Sequence, residues 1–285
     1  MKKDLIITTI SNNYVWTDIK NWFYSLKNTG YTGDILILCY NFENTNHEFL
    51  NQLKKEGVQI VIPQNDYRGN HTTFFEWHSG KVTPQNANQL IHNVRLFHIW
   101  QYFTETNVSQ MYDRVIFTDG RDIIFQTNPT EWLNDNFTKD VLVPSEYVTY
   151  ENEPWNRNNA LVNYGPYIYQ YVLQNKPACN VGSFACTSEI CADFCLIMYL
   201  MSNNIGHADQ PAFNILTSTL LKDRTQTVDF RDSWALQIGA IINDVHNIAD
   251  FKEGIITSKE TQQPYCIVHQ YDRVPEYKNY FDLNI

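Results

Sequence analysis

Three short apolar runs near the N-terminus constrain the fold more than any other feature of the sequence. Each has the length of a buried strand, and they span residues 5–10, 34–40 and 58–62. Two segments with apolar residues at helical spacing separate them; Thr17 is the predicted N-cap of the first, and Gly30 and Gly57 end the two segments. Because parallel strands need helical crossovers, this alternation predicts an α/β fold with a mixed, mostly parallel sheet flanked by helices.

The remainder of the chain continues this pattern between two long irregular segments. A helix is predicted over residues 86–103, and the apolar positions of its buried face are Leu90, Ile91, Val94, Phe97 and Trp100. Further strands are predicted at residues 115–117, 123–125, 141–144 and 266–269. Residues 64–84 and 145–178 are predicted to be loops, and aromatic side chains are frequent in the second. No repeat or linker divides the sequence, so we expect one domain over residues 1–285.

Composition and charge exclude several classes of protein. The net charge of −10 argues against a nucleic-acid partner, because such binding needs a basic face. The apolar part of the N-terminus is too short for a signal peptide, and no run approaches the ~20 apolar residues that cross a bilayer. We therefore expect a soluble, cytoplasmic protein without a transmembrane segment, with peripheral membrane association left open. The six cysteines lack metal-site spacing and are predicted to be buried thiols.

An acidic pair lies between two of the predicted strands, in the sequence Asp119-Gly-Arg-Asp122. Open α/β sheets bind ligands at the carboxyl ends of their strands. Two neighbouring carboxylates repel each other, and a divalent cation relieves that repulsion. A left-handed conformation at Gly120 would let the turn direct both acids at one point. The alternative is an ordinary Asp-Gly turn in which Arg121 neutralises its neighbours.

Four other positions are candidates for a site, and each also has a structural explanation. Arg95 falls among the apolar positions of its helix, where it needs either a buried acid or a bound phosphate as its partner. Gly182 permits close backbone approach to a ligand or to another strand. Asp209 is predicted to be a helix N-cap. His269 ends the last strand, where it is well placed to complete a metal site.

In chain order, these segments resemble the glycosyltransferases of the GT-A fold, and most closely the family-8 type. The resemblance covers about residues 4–273. It is carried by the strand that leads into Asp119-Gly-Arg-Asp122, by Asn180-Val-Gly182, by Asp209-Gln210 and by His269. It implies a single Rossmann-like domain in which Mn²⁺ or Mg²⁺ bridges the phosphates of a nucleotide-sugar donor. The family usually has one residue between its two acids, whereas this chain has two.

The resemblance also implies roles for individual residues. It assigns the metal ligands to Asp119, Asp122 and His269. It assigns donor binding to Thr9, Arg95, Asp119, Asn180 and Gly182, and the position beside the reacting sugar carbon to Asp209 and Gln210. The expected cofactors are therefore Mn²⁺ or Mg²⁺ and a nucleotide sugar, with UDP as the nucleotide that the resemblance favours.

The implied activity is a metal-dependent transfer of a sugar to a hydroxyl group of a glycan, protein or small-molecule acceptor. Retention of configuration is favoured over inversion. One alternative is a sugar nucleotidyltransferase, although residues 11–16 lack the glycine-rich, basic loop that grips a triphosphate. The other is a non-catalytic carbohydrate- or nucleotide-binding protein of the same fold.

Overall fold

The computed structural model describes residues 2–11, 13–40, 48–63, 84–106, 108–202 and 207–285. Within the helix that begins at Pro84, side chains are described from residue 91 onward. Residues 64–83 of the predicted loop over 64–84 therefore lie outside the described residues. The side chain of Leu90 lies outside them too.

The N-terminal half alternates strands and helices as the sequence predicts. Its elements are β1 (Lys3–Ser11), α1 (Trp16–Asn28), β2 (Asp34–Tyr40), α2 (Glu48–Lys55), β3 (Gln59–Val61), α3 (Pro84–Thr106) and β4 (Tyr112–Thr118). β1 pairs in parallel with both β2 and β4, and β2 pairs in parallel with β3. The predicted α/β class is therefore confirmed.

The C-terminal half extends this sheet and adds a smaller one. Its first elements are β5 (Ile123–Phe125), α4 (Pro129–Asn136), β6 (Val141–Thr149), α5 (Pro154–Ile168), β7 (Pro177–Cys179), β8 (Ser183–Thr187), α6 (Ser188–Met201) and α7 (Asp209–Ser218). The remaining ones are β9 (Thr225–Val228), β10 (Ala235–Gln237), α8 (Val245–Ile248), β11 (Ala249–Lys252), β12 (Ile255–Ser258), β13 (Ile267–His269) and α9 (Pro275–Asn284). Among the described residues, the large sheet has the order β3-β2-β1-β4-β8-β6-β7 with β9 beside β6, and the small one has the order β10-β13-β5.

Helices cover both faces of the large sheet, because side chains alternate along its buried strands. On β1, Leu5 and Ile7 pack in one hydrophobic cluster with α3 and α6, whereas Ile6 and Ile10 pack in another with α1 and α2. Each fully buried aliphatic or aromatic side chain stabilises such a core by about 1.5–3 kcal/mol. The mixed, mostly parallel sheet with flanking helices thus follows from the apolar runs of the sequence.

The chain passes from the large sheet to the small one in the turn at residues 119–122, which joins β4 to β5. The antiparallel partner of β5 is β13, and this pairing sets His269 opposite Ile123. The antiparallel partner of β4 is β8, and the backbone N–H of Asp119 donates to the carbonyl oxygen of Gly182 at 2.9 Å. The topology therefore gathers the acidic turn, the glycine before β8 and the end of β13 in one place.

The predicted loop over residues 145–178 is wrong, because α5 occupies much of it. Glu153 caps this helix by accepting a hydrogen bond from the backbone of Asn156, and the helix is kinked at Gly165. Its buried face carries three asparagines, at 156, 159 and 163, whose amides are all hydrogen-bonded. A buried polar face leaves no hydrophobic periodicity in the sequence, which is why the helix escapes detection.

Several finer expectations need correction, while others hold. α1 begins at Trp16, so Thr17 is not its N-cap, and Asp209 is the first residue of α7 rather than its cap. Phe97 and Trp100 are only partly buried, since the α3 face they occupy lies at the edge of the core. All six cysteines are buried and free, as predicted. Within the described ranges, no helix combines the length and the apolar character that a bilayer crossing requires.

Candidate metal centre and adjoining clefts

Asp119, Asp122 and His269 form a compact cluster at the junction of the two sheets. Each offers one ligand atom, and these atoms all lie within 4.8 Å of one another. The Nε2 atom of His269 is 3.4 Å from Oδ2 of Asp119 and 3.7 Å from Oδ1 of Asp122. The His269 side chain is 2 % exposed, and its Nε2 has no hydrogen-bond partner among the residues that the structure describes. A buried nitrogen without a partner, facing two carboxylates, requires a positively charged species beside it.

Gln237 orients the imidazole from the strand beside it. β10 and β13 pair in parallel with Gln237 opposite His269, and Nδ1 of His269 donates to Oε1 of Gln237 at 2.7 Å. The amide nitrogen of Gln237 in turn donates to Oγ of Ser183 at 2.5 Å, which fixes the direction of the amide. In the neutral imidazole this arrangement leaves the Nε2 lone pair facing the acids, as metal-binding histidines require.

The charges of the cluster perturb one another. Burial lowers the pKa of His269, but the nearby Asp122 and Asp119 carboxylates outweigh burial and raise it overall. Burial raises the pKa of Asp119, but the His269 imidazole 3.4 Å away and the charge of Arg95 hold that pKa well below its usual range. Burial and the Asp119 charge raise the pKa of Asp122. Without another cation, a proton shared among these groups supplies the missing positive charge.

Gly182 permits the close approach of the cluster. A Cβ atom at this position would lie 2.6 Å from Oδ2 of Asp119, 2.7 Å from Cε1 of His269 and 2.9 Å from Oδ1 of Asn180. All three distances are far below ordinary van der Waals contact. Asn180 also accepts a hydrogen bond from the Gly182 backbone N–H at 2.7 Å, which holds the segment before β8 in position.

Arg95, which lies on α3, forms ion pairs with both Asp119 and Asp209. Its Nη1 lies 3.3 Å from Oδ1 of Asp119 and its Nη2 lies 3.1 Å from Oδ2 of Asp209, with only 12 % of the side chain exposed. Of the two partners left open by the sequence, a buried acid is therefore present. Arg121, in contrast, forms no ion pair with any residue in the described part of the chain, although its charge lowers the pKa of Asp122 against the burial that raises it.

The acids converge without a left-handed conformation at Gly120. Positive φ values occur at four other described glycines, and Gly120 is not among them. Its small size matters instead, because a Cβ atom there would lie 2.9 Å from Oγ1 of Thr8 on β1. The turn packs against the end of β1, and this packing directs both carboxylates toward β13.

A first cleft of about 310 Å³ opens beside the two acids. The end of β1 with the residues after it, the middle of α3 and the acidic turn form its wall. This wall includes Thr9, Ser11, Asn13, Tyr14, His92, Arg95, Asp119, Arg121 and Asp122. Arg121 supplies an exposed guanidinium within this wall. A cleft with acids, an exposed cation and an aromatic ring suits a phosphorylated ligand together with a divalent metal.

A second cleft of about 280 Å³ contains a hydrogen-bonded group of amides. Glu146 is buried at its base and accepts from Nδ2 of Asn156 at 2.6 Å, from Nδ2 of Asn180 at 2.7 Å and from Nε2 of Gln210 at 3.2 Å. Burial raises the pKa of Glu146 despite these three donors. Since Asn180 also contacts Gly182, this group connects the second cleft to the metal centre.

The structure brings all of the sequence-predicted site residues into this region. Thr9, Arg95, Asp119 and Asp122 line the first cleft, Asn180 and Gln210 line the second, and Gly182, Asp209 and His269 lie between or beside them. Sequence reasoning missed Gln237 and Glu146. No local spacing marks either one. Gln237 contacts His269, 32 positions away, and Glu146 contacts Asn156, Asn180 and Gln210, which are 10, 34 and 64 positions away.

The residues of the cluster fit a divalent cation. Two carboxylate oxygens and an imidazole nitrogen are a donor set that Mn²⁺ accepts readily. The unpartnered Nε2 of His269 and the space kept open by Gly182 are further features that a bound ion explains. No protein-family model matches the chain, and no curated protein matches it in sequence.

Proposed function

We propose that this chain is a metal-dependent glycosyltransferase that moves a sugar from a nucleoside diphosphate donor to an acceptor hydroxyl. The observation that carries the proposal is the Asp119–Asp122–His269 cluster. Its buried Nε2 has no hydrogen-bond partner in the described ranges, and the cluster lies beside a cleft that contains the exposed guanidinium of Arg121. The resemblance to GT-A enzymes, and to the family-8 type, supports the same reading, and UDP is the nucleotide that it favours.

In this proposal the first cleft receives the nucleotide. Asp119, Asp122 and His269 would hold Mn²⁺ or Mg²⁺, and the ion when bound would stabilise the negative charge that develops on the departing diphosphate. Arg121 would add a second positive charge, and Thr9 at the end of β1 would contact the donor. Arg95 would position Asp119 and Asp209, since its guanidinium is already paired with these two acids.

The second cleft would receive the sugar and the acceptor. Gln210 and Asn180 line it, whereas Asp209 is buried beneath it and paired with Arg95. Inversion of configuration requires a carboxylate base at the acceptor hydroxyl. Both carboxylates of the cleft already accept hydrogen bonds, Glu146 from three amides and Glu153 from the backbone of α5. This arrangement favours retention.

A hydrolysis screen of nucleotide sugars with and without Mn²⁺ tests the proposal. We expect metal-dependent release of a nucleoside diphosphate from one or more donors, and its loss in Asp122→Asn. Asp113→Asn is the matched control, since Asp113 is an exposed acid near the start of β4, outside the lining of both clefts.

Three results would contradict the proposal. Equal activity of Asp122→Asn and Asp113→Asn would remove the metal role. Turnover of a nucleoside triphosphate with a sugar 1-phosphate, rather than of nucleotide sugars, would identify a nucleotidyltransferase. Nucleotide binding without turnover of any donor would indicate a non-catalytic binding protein.

A further inference from the structure

The second cleft presents polar groups in fixed positions, which suits a ligand with several hydroxyl groups. The amides of Asn156, Asn180 and Gln210 are held in fixed directions by the buried Glu146. Trp155 adds an indole that is 49 % exposed at the same cleft. Fixed amides match hydroxyl groups, and an exposed aromatic ring matches the C–H face of a pyranose.

The charged side chains of this cleft differ in their hydrogen-bond partners. Glu146 accepts three side-chain hydrogen bonds, and Glu153 caps α5 through Asn156. Arg273 also lines the cleft, but it forms no ion pair and no side-chain hydrogen bond with any described residue. An arginine whose side-chain donors have no partner in the described part of the chain is available to bind an anion, and the net charge of −10 disfavours anions at sites without such a cation.

The guanidinium of Arg273 is held at the cleft by close packing. A Cβ atom at Gly239 would lie 2.7 Å from Nη1 of Arg273 and 2.0 Å from Oε1 of Gln270, so both side chains lie directly over this glycine. Gln270 itself has a left-handed backbone (φ 62°) and donates its N–H to the carbonyl oxygen of Asp122 at 2.6 Å. The position of Arg273 is therefore tied to the metal centre through the segment that follows β13.

We propose that the second cleft binds a sugar that carries a carboxylate or a phosphate group, and that Arg273 recognises this group. The inference rests on the proposed function in taking the occupant to be a substrate sugar. The first cleft has its own exposed cation, Arg121, for a diphosphate. Arg273 is thus available for a second anion, and its planar fork matches both carboxylate and phosphate.

Saturation-transfer NMR titrations of the full chain test this inference with defined probes. The pairs are methyl glucuronide against methyl glucoside and glucose 6-phosphate against glucose, each also in the galacto series, together with inorganic phosphate alone. We expect at least one anionic sugar to bind about tenfold more tightly than its neutral partner, which corresponds to about 1.4 kcal/mol. The pair that shows this preference distinguishes a carboxylate from a phosphate.

Variants assign the preference to one side chain. Arg273→Gln should abolish it while leaving the affinity for UDP with Mn²⁺ unchanged. Arg157→Gln is the matched control, because Arg157 is an exposed arginine of α5 outside the lining of both clefts, and it should keep the preference.

The inference would be overturned if the wild type showed no preference for an anionic sugar, or if that preference survived in Arg273→Gln. It would also be overturned if inorganic phosphate bound as tightly as the sugar phosphate, or if Arg273→Gln lost as much affinity for UDP as for the anionic sugar. The last result would assign Arg273 to the donor diphosphate. Failure of the proposed function is separable, because it removes binding of UDP with Mn²⁺ and nucleotide-sugar turnover whatever the sugar probes show.

Discussion

Adding one methyl group at Gly182 should damage the candidate metal centre more than it damages the fold. The Cβ atom of Gly182→Ala would lie 2.6 Å from the Asp119 carboxylate, 2.7 Å from the His269 ring and 2.9 Å from the Asn180 amide. Ordinary contact begins near 3.5 Å, so these neighbours would have to move by roughly 0.6–0.9 Å. Overpacking of this kind costs about 1–3 kcal/mol of folding stability.

The same displacement should weaken cation binding at least about tenfold, because 1.4 kcal/mol of lost ligand geometry changes a dissociation constant by that factor. Titration of Mn²⁺ by calorimetry gives the affinity, and urea unfolding gives the stability. Gly57→Ala is the matched control. Gly57 has a left-handed φ of 80° with open space around it, so alanine there costs about 1 kcal/mol without touching the centre. Wild-type Mn²⁺ affinity in Gly182→Ala would refute the reasoning.

Three further predictions concern the groups around the centre. Gln237→Leu removes the acceptor that orients His269 and should weaken Mn²⁺ binding about 10- to 100-fold; an unchanged titration would show that Gln237 does not set the imidazole. Arg95→Met leaves two carboxylates without their cation and should cost about 3 kcal/mol of unfolding free energy, the lower end for a buried pair because one partner is about one-third exposed. Burial raises the pKa of the Cys39, Cys179 and Cys266 thiols to about 12 from the ordinary 9.0. The folded chain, whose six cysteines are all buried, should therefore not react with Ellman's reagent at pH 8, whereas the unfolded chain should react at all six thiols. Because these folded-state pKa values are raised, the thiols favour folding below pH 9, and their contribution to the free energy of unfolding should fall between pH 9 and 12 in urea melts. Rapid labelling of the folded chain at pH 8, or a rise in stability between pH 9 and 12, would contradict the burial of these thiols.

The sequence predicts the part of the structure that hydrophobic periodicity encodes. The central strands β1, β2 and β4 of the large sheet contain apolar runs, and β2 spans the predicted residues 34–40. Periodicity fails where polar groups are buried, as in α5, whose inward face is built from asparagines. That helix and the buried Glu146 stabilise each other through Asn156, so neither one can be recognised without the other.

The candidate centre divides in the same way. Its acids lie in one turn, so the sequence predicts that they are close together, and it also indicates His269, at the end of a strand, as a third ligand. Gln237 and Arg273 carry no such signal. Their roles depend on which strand lies beside β13 and on how closely a side chain can approach Gly239, and both are results of tertiary packing.

The two-residue spacing between Asp119 and Asp122 follows from the change of sheet. On one continuous strand, side chains three positions apart point to opposite faces, so such a pair would not share a ligand. Here Asp119 follows the last residue of β4, whereas Asp122 precedes the first residue of β5, and these strands belong to different sheets. Each acid is then set by its own sheet: Asp119 by the backbone hydrogen bond to Gly182, and Asp122 by the pairing that brings His269 opposite Ile123. In this chain the turn that changes sheets has two residues between the acids, and it brings both carboxylates to the imidazole, so this spacing is compatible with a single cation site.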